Sequence, residues 1–329
     1  MAPREATTTD DEVRALLKRV RLVELRTRKA VNAAGQGAYH SRYKGRGMAF
    51  SESRAYAPGD DPRHIDWNAT ARRLHEDSGG GAGLFVKQFV EERELTLILA
   101  VDLSGSMAVG VRQKKRQVAA EAAALLAFSA LRNNDKVGLL LFTDRVELLV
   151  RPKKGRAHVL RCVREILAAR PTGKGTDLGA AAEVATHLSK QRAIVALITD
   201  LAETRADGLR SGPLARSAQG ASSLGAVEKP LKALARRHDL LVVEVEDPLD
   251  LELPDAGLVA VIDPETGKRA LVDTGAAPVR AAYRERMEGE RQRVRAAVDR
   301  LGVDRVVVSE RESSAPLVRF LRRRRRMAA

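Results

Sequence analysis

The sequence has 329 residues, of which 44% are hydrophobic and 31% are charged, a composition typical of a globular protein with a sizeable core. Its single cysteine, Cys162, excludes an internal disulfide and a cysteine-based zinc site, and its apolar neighbours at helical spacing indicate a helix core. No apolar run approaches the roughly 18 residues that cross a membrane, and the first residues lack a signal-peptide hydrophobic region. We therefore expect a cytoplasmic protein.

The net charge of +15 raises the possibility of nucleic-acid binding, because clustered cations bind phosphates. Most basic residues are interleaved with acids, and aromatic residues make up 3% of the chain, which disfavours a base-stacking surface. The arginine run Arg322–Arg326 is interpreted as a solvated helix end, with an acidic partner or an RNA backbone as alternatives. A basic nucleic-acid or membrane-surface protein is kept as the alternative function.

In chain order, residues 1–11 are predicted to be a disordered tail, and residues 12–92 an N-terminal helix followed by an irregular segment. The helix covers about residues 12–31. In the following segment, the turn around Asp60 and Asp61 is expected to be structural, with Trp67 anchoring it. The nearby acids Asp60, Asp61 and Asp66 are expected to pair with Arg54, Arg63 and Arg72 rather than to form a metal or catalytic site.

From residue 93 onward, short apolar strands alternate with helices, which predicts an α/β fold with a doubly wound, mostly parallel sheet over residues 93–312. A C-terminal helix and basic tail occupy residues 313–329. Residues 202–228 are predicted to be an inserted loop, either without a role or bordering the site. The predicted strands are Leu84–Val90, Leu95–Asp102, Lys136–Phe142, Val146–Val150, Ala193–Asp200, Leu240–Glu246, Leu251–Leu253, Leu258–Ile262, Arg269–Val272 and Asp304–Val308, and the predicted helices include Lys114–Arg132, Arg156–Ala169, Pro230–Arg237, Val279–Leu301 and Pro316–Arg326.

Oxygen-bearing side chains follow the first buried strand of this region. Asp102, Ser104 and Ser106 can converge at the carboxyl end of the strand, where ligands of open α/β sheets bind. Their hard oxygen atoms suit Mg²⁺, although a strand ending in Asp and Ser is also typical of a helix N-cap. Thr176, in a glycine-rich turn, and Asp200, at the end of a second buried strand, favour the metal interpretation.

The order of these three motifs resembles the metal-ion-dependent adhesion site of von Willebrand factor A domains. By this resemblance Asp102, Ser104 and Ser106 form the first motif, Thr176 the second and Asp200 the third. The segment from Gly47 to Arg72, including Asp60-Asp61-Pro62-Arg63 and Asp66-Trp67, resembles the signature of the bacterial family called domain of unknown function 58. Lys87–Glu94, Asp247-Pro248, Leu253-Pro254 and the turn at 263–267 are also similar to that family.

The resemblance implies a non-enzymatic adaptor that uses Mg²⁺, or another divalent cation such as Mn²⁺, to bind an acidic side chain of a partner. Genes of this family commonly lie beside MoxR-type AAA+ ATPases, which implies such an ATPase or its client as the partner. The sequence lacks a phosphate loop and a Gly-x-Ser-x-Gly nucleophile, which disfavours an enzyme.

Overall fold

The computed structural model describes residues 48–76, 83–91, 95–110, 114–173, 175–201, 222–262 and 269–328, together with Lys18, Arg21 and Glu24. These three isolated residues are helical, whereas the predicted tail 1–11 and the rest of the predicted helix 12–31 lie outside the described residues. The chain divides into a small unit, Tyr43–Glu94, and a large unit that contains the remainder. No helix in the described part of the chain has the length and hydropathy needed to cross a membrane.

The small unit consists of strand β1 (Met48–Ala55), helix α1 (Trp67–Glu76) and strand β2 (Phe85–Glu91). β2 pairs with β1 in an antiparallel two-stranded sheet. The predicted strand Leu84–Val90, expected to be an edge strand just before the central strand, therefore belongs to a separate sheet. Arg54 and Asp60 form a two-pronged ion pair, at 2.8 and 2.6 Å, as expected. Asp66 accepts hydrogen bonds from the Ser53 hydroxyl and from the Ala69 backbone N–H in the first turn of α1.

Trp67 does not anchor this unit. Its side chain is exposed, with 67% of its surface accessible, whereas the neighbouring Asp66 is buried. The polar contacts of Asp60 and Asp66 hold the turn instead, because each carboxylate joins two segments of the hairpin and helix.

The large unit is built on a six-stranded sheet within the described residues. The strand order is β10–β7–β6–β3–β4–β5, and every neighbouring pair is parallel except the antiparallel pair β4–β5. Counted along the chain, this is the order 3-2-1-4-5-6 of a doubly wound sheet, which confirms the predicted fold class. The sheet strands are β3 (Thr96–Asp102), β4 (Lys136–Phe142), β5 (Val146–Lys153), β6 (Ile194–Thr199), β7 (Asp239–Glu246) and β10 (Asp304–Ser309).

Helices cover both faces of this sheet and create two apolar cores. Side chains of β3 alternate between them: Leu97 and Leu99 face one core, and Ile98 and Ala100 face the other. Because all four are buried, β3 reads as a continuous apolar run, as central parallel strands do. The helices are α2 (Lys115–Arg132), α3 (Arg156–Ala168), α4 (Leu178–His187), α5 (Ser222–Arg237), α6 (Ala277–Arg300) and α7 (Ala315–Ala328).

Two predicted boundaries after β6 require correction. Helix α5 begins at Ser222, so residues 222–228 of the predicted inserted loop are helical, and residues 202–221 lie outside the described residues. The segment Leu251–Leu253 is not a strand, because a 3-10 turn at Pro248–Asp250 and an irregular stretch follow β7. The hairpin of β8 (Leu258–Ile262) and β9 (Arg269–Asp273) confirms the other two short strands predicted in this region.

Part of the C-terminal arginine run is not solvated. Arg324 has 8% of its surface accessible, and its guanidinium donates to both carboxylate oxygens of Asp239, each at 2.9 Å. It also donates to Asp304 and stacks on the ring of Phe320 at 4.9 Å. Arg322 and Arg323 are exposed. The solvated-end interpretation was therefore wrong for Arg324, which joins α7 to the amino ends of β7 and β10.

Candidate metal centre

The strand end that carries Asp102 lies at the point where the strand order of the sheet reverses. β3 pairs with β4 on one side and with β6 on the other. Helix α2, which leads to β4, packs on one face of the sheet, and helix α4, which directly precedes β6, packs on the other. In doubly wound sheets this switch point leaves a crevice at the carboxyl edge, where ligands bind. Asp102 therefore occupies the position of the sheet best suited to hold a ligand.

Asp102 is fully buried and is fixed by two hydrogen bonds. Its Oδ1 accepts from the Ser104 backbone N–H at 2.8 Å, and its Oδ2 accepts from the Thr199 hydroxyl at 2.8 Å. The hydroxyl oxygens of Ser104 and Ser106 are 3.0 Å apart. The structure thus brings the three residues of the first predicted motif together in one tight turn.

The N-cap alternative does not account for these side chains. The 3-10 turn at Ser106–Ala108 has Gly105 as its N-cap and receives no side-chain capping bond. The next helix, α2, is preceded by Lys114 at its N-cap, also without a capping bond. Asp102 and Ser104 therefore cap neither helical segment of this connection.

Asp200 follows β6 and lies near Asp102, because β6 is the immediate parallel neighbour of β3. The backbone after Asp200 is strained: Leu201 has a φ of 58°, in the left-handed region that costs a residue with a side chain roughly 1–2 kcal/mol. The Thr199 hydroxyl accepts a hydrogen bond from the Leu201 N–H at 3.1 Å and so helps to hold this conformation. Strain of this kind is concentrated at functional sites.

Thr176 is carried to the same edge by a loop that packs against the end of β4. The Asp177 N–H donates to the Thr143 carbonyl at 3.0 Å, and Thr143 directly follows Phe142, the register partner of Asp102. The Thr176 side chain is buried, with 6% of the residue accessible. All five predicted site residues therefore lie on three neighbouring loops at the carboxyl edge.

A carboxylate that the sequence did not single out organises the Thr176 loop. Glu147, on β5, accepts hydrogen bonds from the backbone N–H groups of Thr172 and Gly173, at 3.1 and 2.7 Å, and from the Thr143 hydroxyl at 2.8 Å. Partial burial alone would raise the pKa of Glu147, but the bonds from Gly173 and Thr172 hold that pKa below its ordinary value. A Cβ on Gly173 would lie 2.1 Å from the Oγ1 and 2.9 Å from the Cβ of the buried Thr143, so a larger residue there would force the loop to shift.

We expect Glu147→Gln to destabilise the protein by roughly 1–3 kcal/mol, because charge-assisted hydrogen bonds to the loop backbone are lost. Chemical denaturation of the two proteins at pH 7 measures this difference. Asp144→Asn is the matched control and should change the free energy of unfolding by less than about 0.5 kcal/mol, since its pairing with Arg145 is at an exposed site. Equal effects of the two variants would contradict the role of Glu147.

The electrostatics of the site favour a cation. The pKa of Asp102 is raised to about 7, mainly because the carboxyl group is completely buried and also because the charge of Asp200 repels it. Lys115, in the first turn of α2, reaches Asp200 with its ammonium at 2.7 Å and Asp250 also at 2.7 Å. Burial alone would lower the pKa of Lys115, but the charges of Asp200 and Asp250 outweigh it and raise this pKa, so the ammonium stays charged.

The donor set fits a hard divalent cation. Two carboxylates and three hydroxyls provide the oxygen ligands that Mg²⁺ and Mn²⁺ accept, with room in an octahedral shell for water or a partner's oxygen. No group of three or more His, Cys, Asp or Glu side chains placed to hold a metal occurs among the described residues. The candidate site therefore depends on hydroxyl ligands, unlike a zinc site.

Four residues at this edge were not predicted from the sequence, namely Lys115, Glu147, Thr199 and Asp250. Thr199 directly precedes the predicted ligand Asp200, and this position beside a site residue was the available signal. Asp250 follows the Asp247-Pro248 pair that the resemblance had already marked. Lys115 and Glu147 carry no local signal, because each acts on residues that are distant in sequence.

The fold and this edge define an α/β protein with a carboxylate and hydroxyl cluster at the switch point of a doubly wound sheet. Residues 52–293 match the family described as "Protein of unknown function DUF58". The chain belongs to this family. It is 31% identical over 253 residues to uncharacterized protein Rv1480 of Mycobacterium tuberculosis, with 75% of this chain and 70% of that protein covered.

Two solved structures are similar at low sequence identity. An aerotolerance-related membrane protein from Bacteroides fragilis is 14% identical, with a TM-score of 0.41, and the match covers 70% of this chain and 99% of the other. A von Willebrand factor type A structure from Catenulispora acidiphila is 12% identical, with a TM-score of 0.38, covering 73% of this chain and 43% of the other.

Proposed function

We propose that this protein is a non-enzymatic adaptor that binds a partner protein through a divalent cation, Mg²⁺ or Mn²⁺. Asp102, Ser104, Ser106, Thr176 and Asp200 hold the cation directly or through water. The observation that supports this most strongly is the complete burial of Asp102 beside a second carboxylate, Asp200, at the sheet switch point. Lys115 pairs with Asp200, whereas the two hydrogen bonds to Asp102 come from neutral groups, and a buried carboxylate in this setting favours a cation.

The chemistry of the cation explains how a partner is recognised. Mg²⁺ keeps positions in its octahedral shell that the five side chains leave to water. A Glu or Asp carboxylate of a partner displaces such a water and completes the shell, which provides a directional charged contact. Binding then requires both the cation and an acidic side chain on the partner.

The proposed partner is a MoxR-type AAA+ ATPase, or a client protein that the ATPase remodels. In this arrangement the ATPase supplies the work, and the present chain recognises the ATPase or the client. An enzymatic role is disfavoured at this edge, because the hydroxyl groups of Ser104 and Ser106 lie 3.0 Å apart and hydrogen-bond to each other. We interpret Ser104 as a metal ligand rather than as a nucleophile.

The test of this function is binding of the immobilised chain to a MoxR-type AAA+ ATPase from the same organism, in Mg²⁺ and in EDTA. We expect binding in Mg²⁺ that EDTA abolishes and that Asp102→Ala reduces at least tenfold. Glu183→Ala is the matched control, because Glu183 is an exposed acid on α4 and its removal should leave binding unchanged. Binding that persists in EDTA and in Asp102→Ala would contradict metal-dependent recognition.

The alternative function, a basic nucleic-acid or membrane-surface protein, is weakened by the arginine run itself. Arg324 is committed to Asp239 and Asp304 inside the fold and cannot bind phosphate. That alternative would be supported by binding to RNA, DNA or anionic lipid that falls steeply with salt and survives EDTA.

A further inference from the structure

A buried lysine lies against a proposed metal ligand. The side chains of Lys115 and Asp200 are 4% and 1% accessible, and Lys115 Nζ is 2.7 Å from Asp200 Oδ2. The ammonium also contacts Asp250 Oδ1 at 2.7 Å, on a side chain that is 27% accessible. Lys115 therefore sits between an inner carboxylate that faces the site and an outer carboxylate that does not belong to the five ligands.

The position of Asp250 is fixed by hydrogen bonds within its turn, which keep its carboxylate in contact with Lys115. In the 3-10 turn that follows β7, Asp250 accepts a hydrogen bond from the Asp247 N–H at 3.0 Å, and Asp247 in turn accepts from the Leu249 N–H at 2.9 Å. The Tyr283 hydroxyl of α6 donates to the Leu249 carbonyl at 2.9 Å and fastens this turn to the fold. The carboxylate of Asp250 is therefore held in position to pair with the ammonium of Lys115.

We propose that Lys115 is an internal counter-cation that competes with the divalent ion for Asp200, and that Asp250 retains the ammonium when the ion binds. This inference rests on the proposed metal site. Lys115 pairs with Asp200 and Asp250, and Asp102 ends the strand next to the one that Asp200 follows. Three carboxylates and one ammonium carry a net charge of −2 when all are ionised. The cluster charge matches one divalent cation and sets the cation affinity of the isolated protein.

The consequence for function is that Lys115 lowers the affinity of the isolated protein for the divalent cation. A positive charge beside Asp200 opposes the approach of a second cation, and this effect is strong where water is excluded. Asp250 offsets part of that opposition without entering the coordination shell. The cation is then held most firmly when a partner adds its own carboxylate, so that cation and partner bind in a mutually dependent way.

The test is a calorimetric titration of the full chain with MgCl₂ alone at pH 8. Lys115→Met brings the cluster charge to −3, and we expect Mg²⁺ to bind about tenfold more tightly. Asp250→Asn brings the charge to −1, and we expect about tenfold weaker binding. The double variant restores −2 and should bind within about threefold of the wild type.

The control is Lys190→Met, which removes an exposed positive charge near the amino end of β6, at the opposite edge of the sheet. It should leave the Mg²⁺ affinity unchanged. Equal or weaker binding by a folded Lys115→Met would overturn the competition, and if that variant does not fold, unchanged affinity in Asp250→Asn would do so. An absence of Mg²⁺ binding by the wild type would instead refute the metal site itself.

Discussion

Replacing Arg324 by Gln is expected to destabilise the protein by roughly 3–5 kcal/mol. The guanidinium is buried among Asp239, Asp304 and the ring of Phe320, and its removal leaves buried negative charge at the amino ends of β7 and β10 without this compensation. Thermal unfolding at pH 7 should show the loss as a fall in Tm on the order of 5–10 °C.

The matched control is Arg323→Gln. Arg323 directly precedes Arg324 on α7, its side chain is 69% accessible and its nearest contact to Asp304 is 3.8 Å. An exposed pair at this distance contributes about 0–1 kcal/mol, so the control should unfold close to the wild type. Similar melting temperatures for the two variants would contradict the assignment of Arg324 as the buried anchor of α7.

The second large effect concerns Asp102 in the absence of a cation. In EDTA the folded protein holds the pKa of Asp102 at about 7, because burial and the charge of Asp200 oppose ionisation, whereas the ordinary value is 3.8. Between these two values the unfolded chain releases the proton and the folded chain keeps it. Stability of the cation-free protein should therefore fall as the pH rises from about 4 to about 7.

Asp102→Asn removes this pH dependence, because the amide does not ionise. Each unit of pKa shift corresponds to about 1.4 kcal/mol, so at pH 8 in EDTA the variant should be more stable than the wild type by roughly 2–4 kcal/mol. The difference should shrink toward pH 4.5. Chemical denaturation at the two pH values measures it, and a variant that is less stable than the wild type by the same amount at both values would contradict the cost assigned to the buried carboxylate.

The predictable parts of the fold are those in which the local sequence pattern directly reflects the burial of the residues in the structure. The run Leu97–Val101 is apolar at every position because both faces of β3 are covered, and this alone indicates a central parallel strand. Asp102, Ser104 and Ser106 are close in sequence, so their convergence in one turn follows from their spacing. Thr176 and Asp200 are distant in sequence, and their placement at the same edge followed from the predicted doubly wound sheet, in which right-handed crossovers bring these loops to one edge.

The parts that were not predictable depend on contacts between distant residues. Lys115 meets Asp200 and Asp250, which are 85 and 135 residues further along the chain, and nothing near Lys115 distinguishes it from Lys114. Arg324 is embedded in a uniform run, and the packing of α7 on β7 and β10 decides that this one arginine is buried. Trp67 was expected to anchor its turn, yet its side chain is exposed and the polar contacts of Asp66 organise that turn.

These contacts suggest a site that is costly to form without its cation. A fully buried carboxylate, a strained Leu201 beside the second carboxylate and a buried ammonium all lie at one sheet edge. Proteins retain such arrangements at functional sites, where the free energy of ligand binding offsets the free energy of forming them. In the proposed adaptor function, this free energy comes from binding of the cation and of the acidic side chain of the partner.

The most direct test of the metal site is thermal unfolding of the wild type and of Asp102→Ala, each in EDTA and in millimolar MgCl₂. Ligand at about one hundred times its dissociation constant adds roughly 2.7 kcal/mol to the free energy of unfolding. We predict that Mg²⁺ raises the Tm of the wild type by several degrees and leaves that of Asp102→Ala unchanged. Equal shifts in both proteins, or no shift in the wild type, would contradict a cation site built on Asp102.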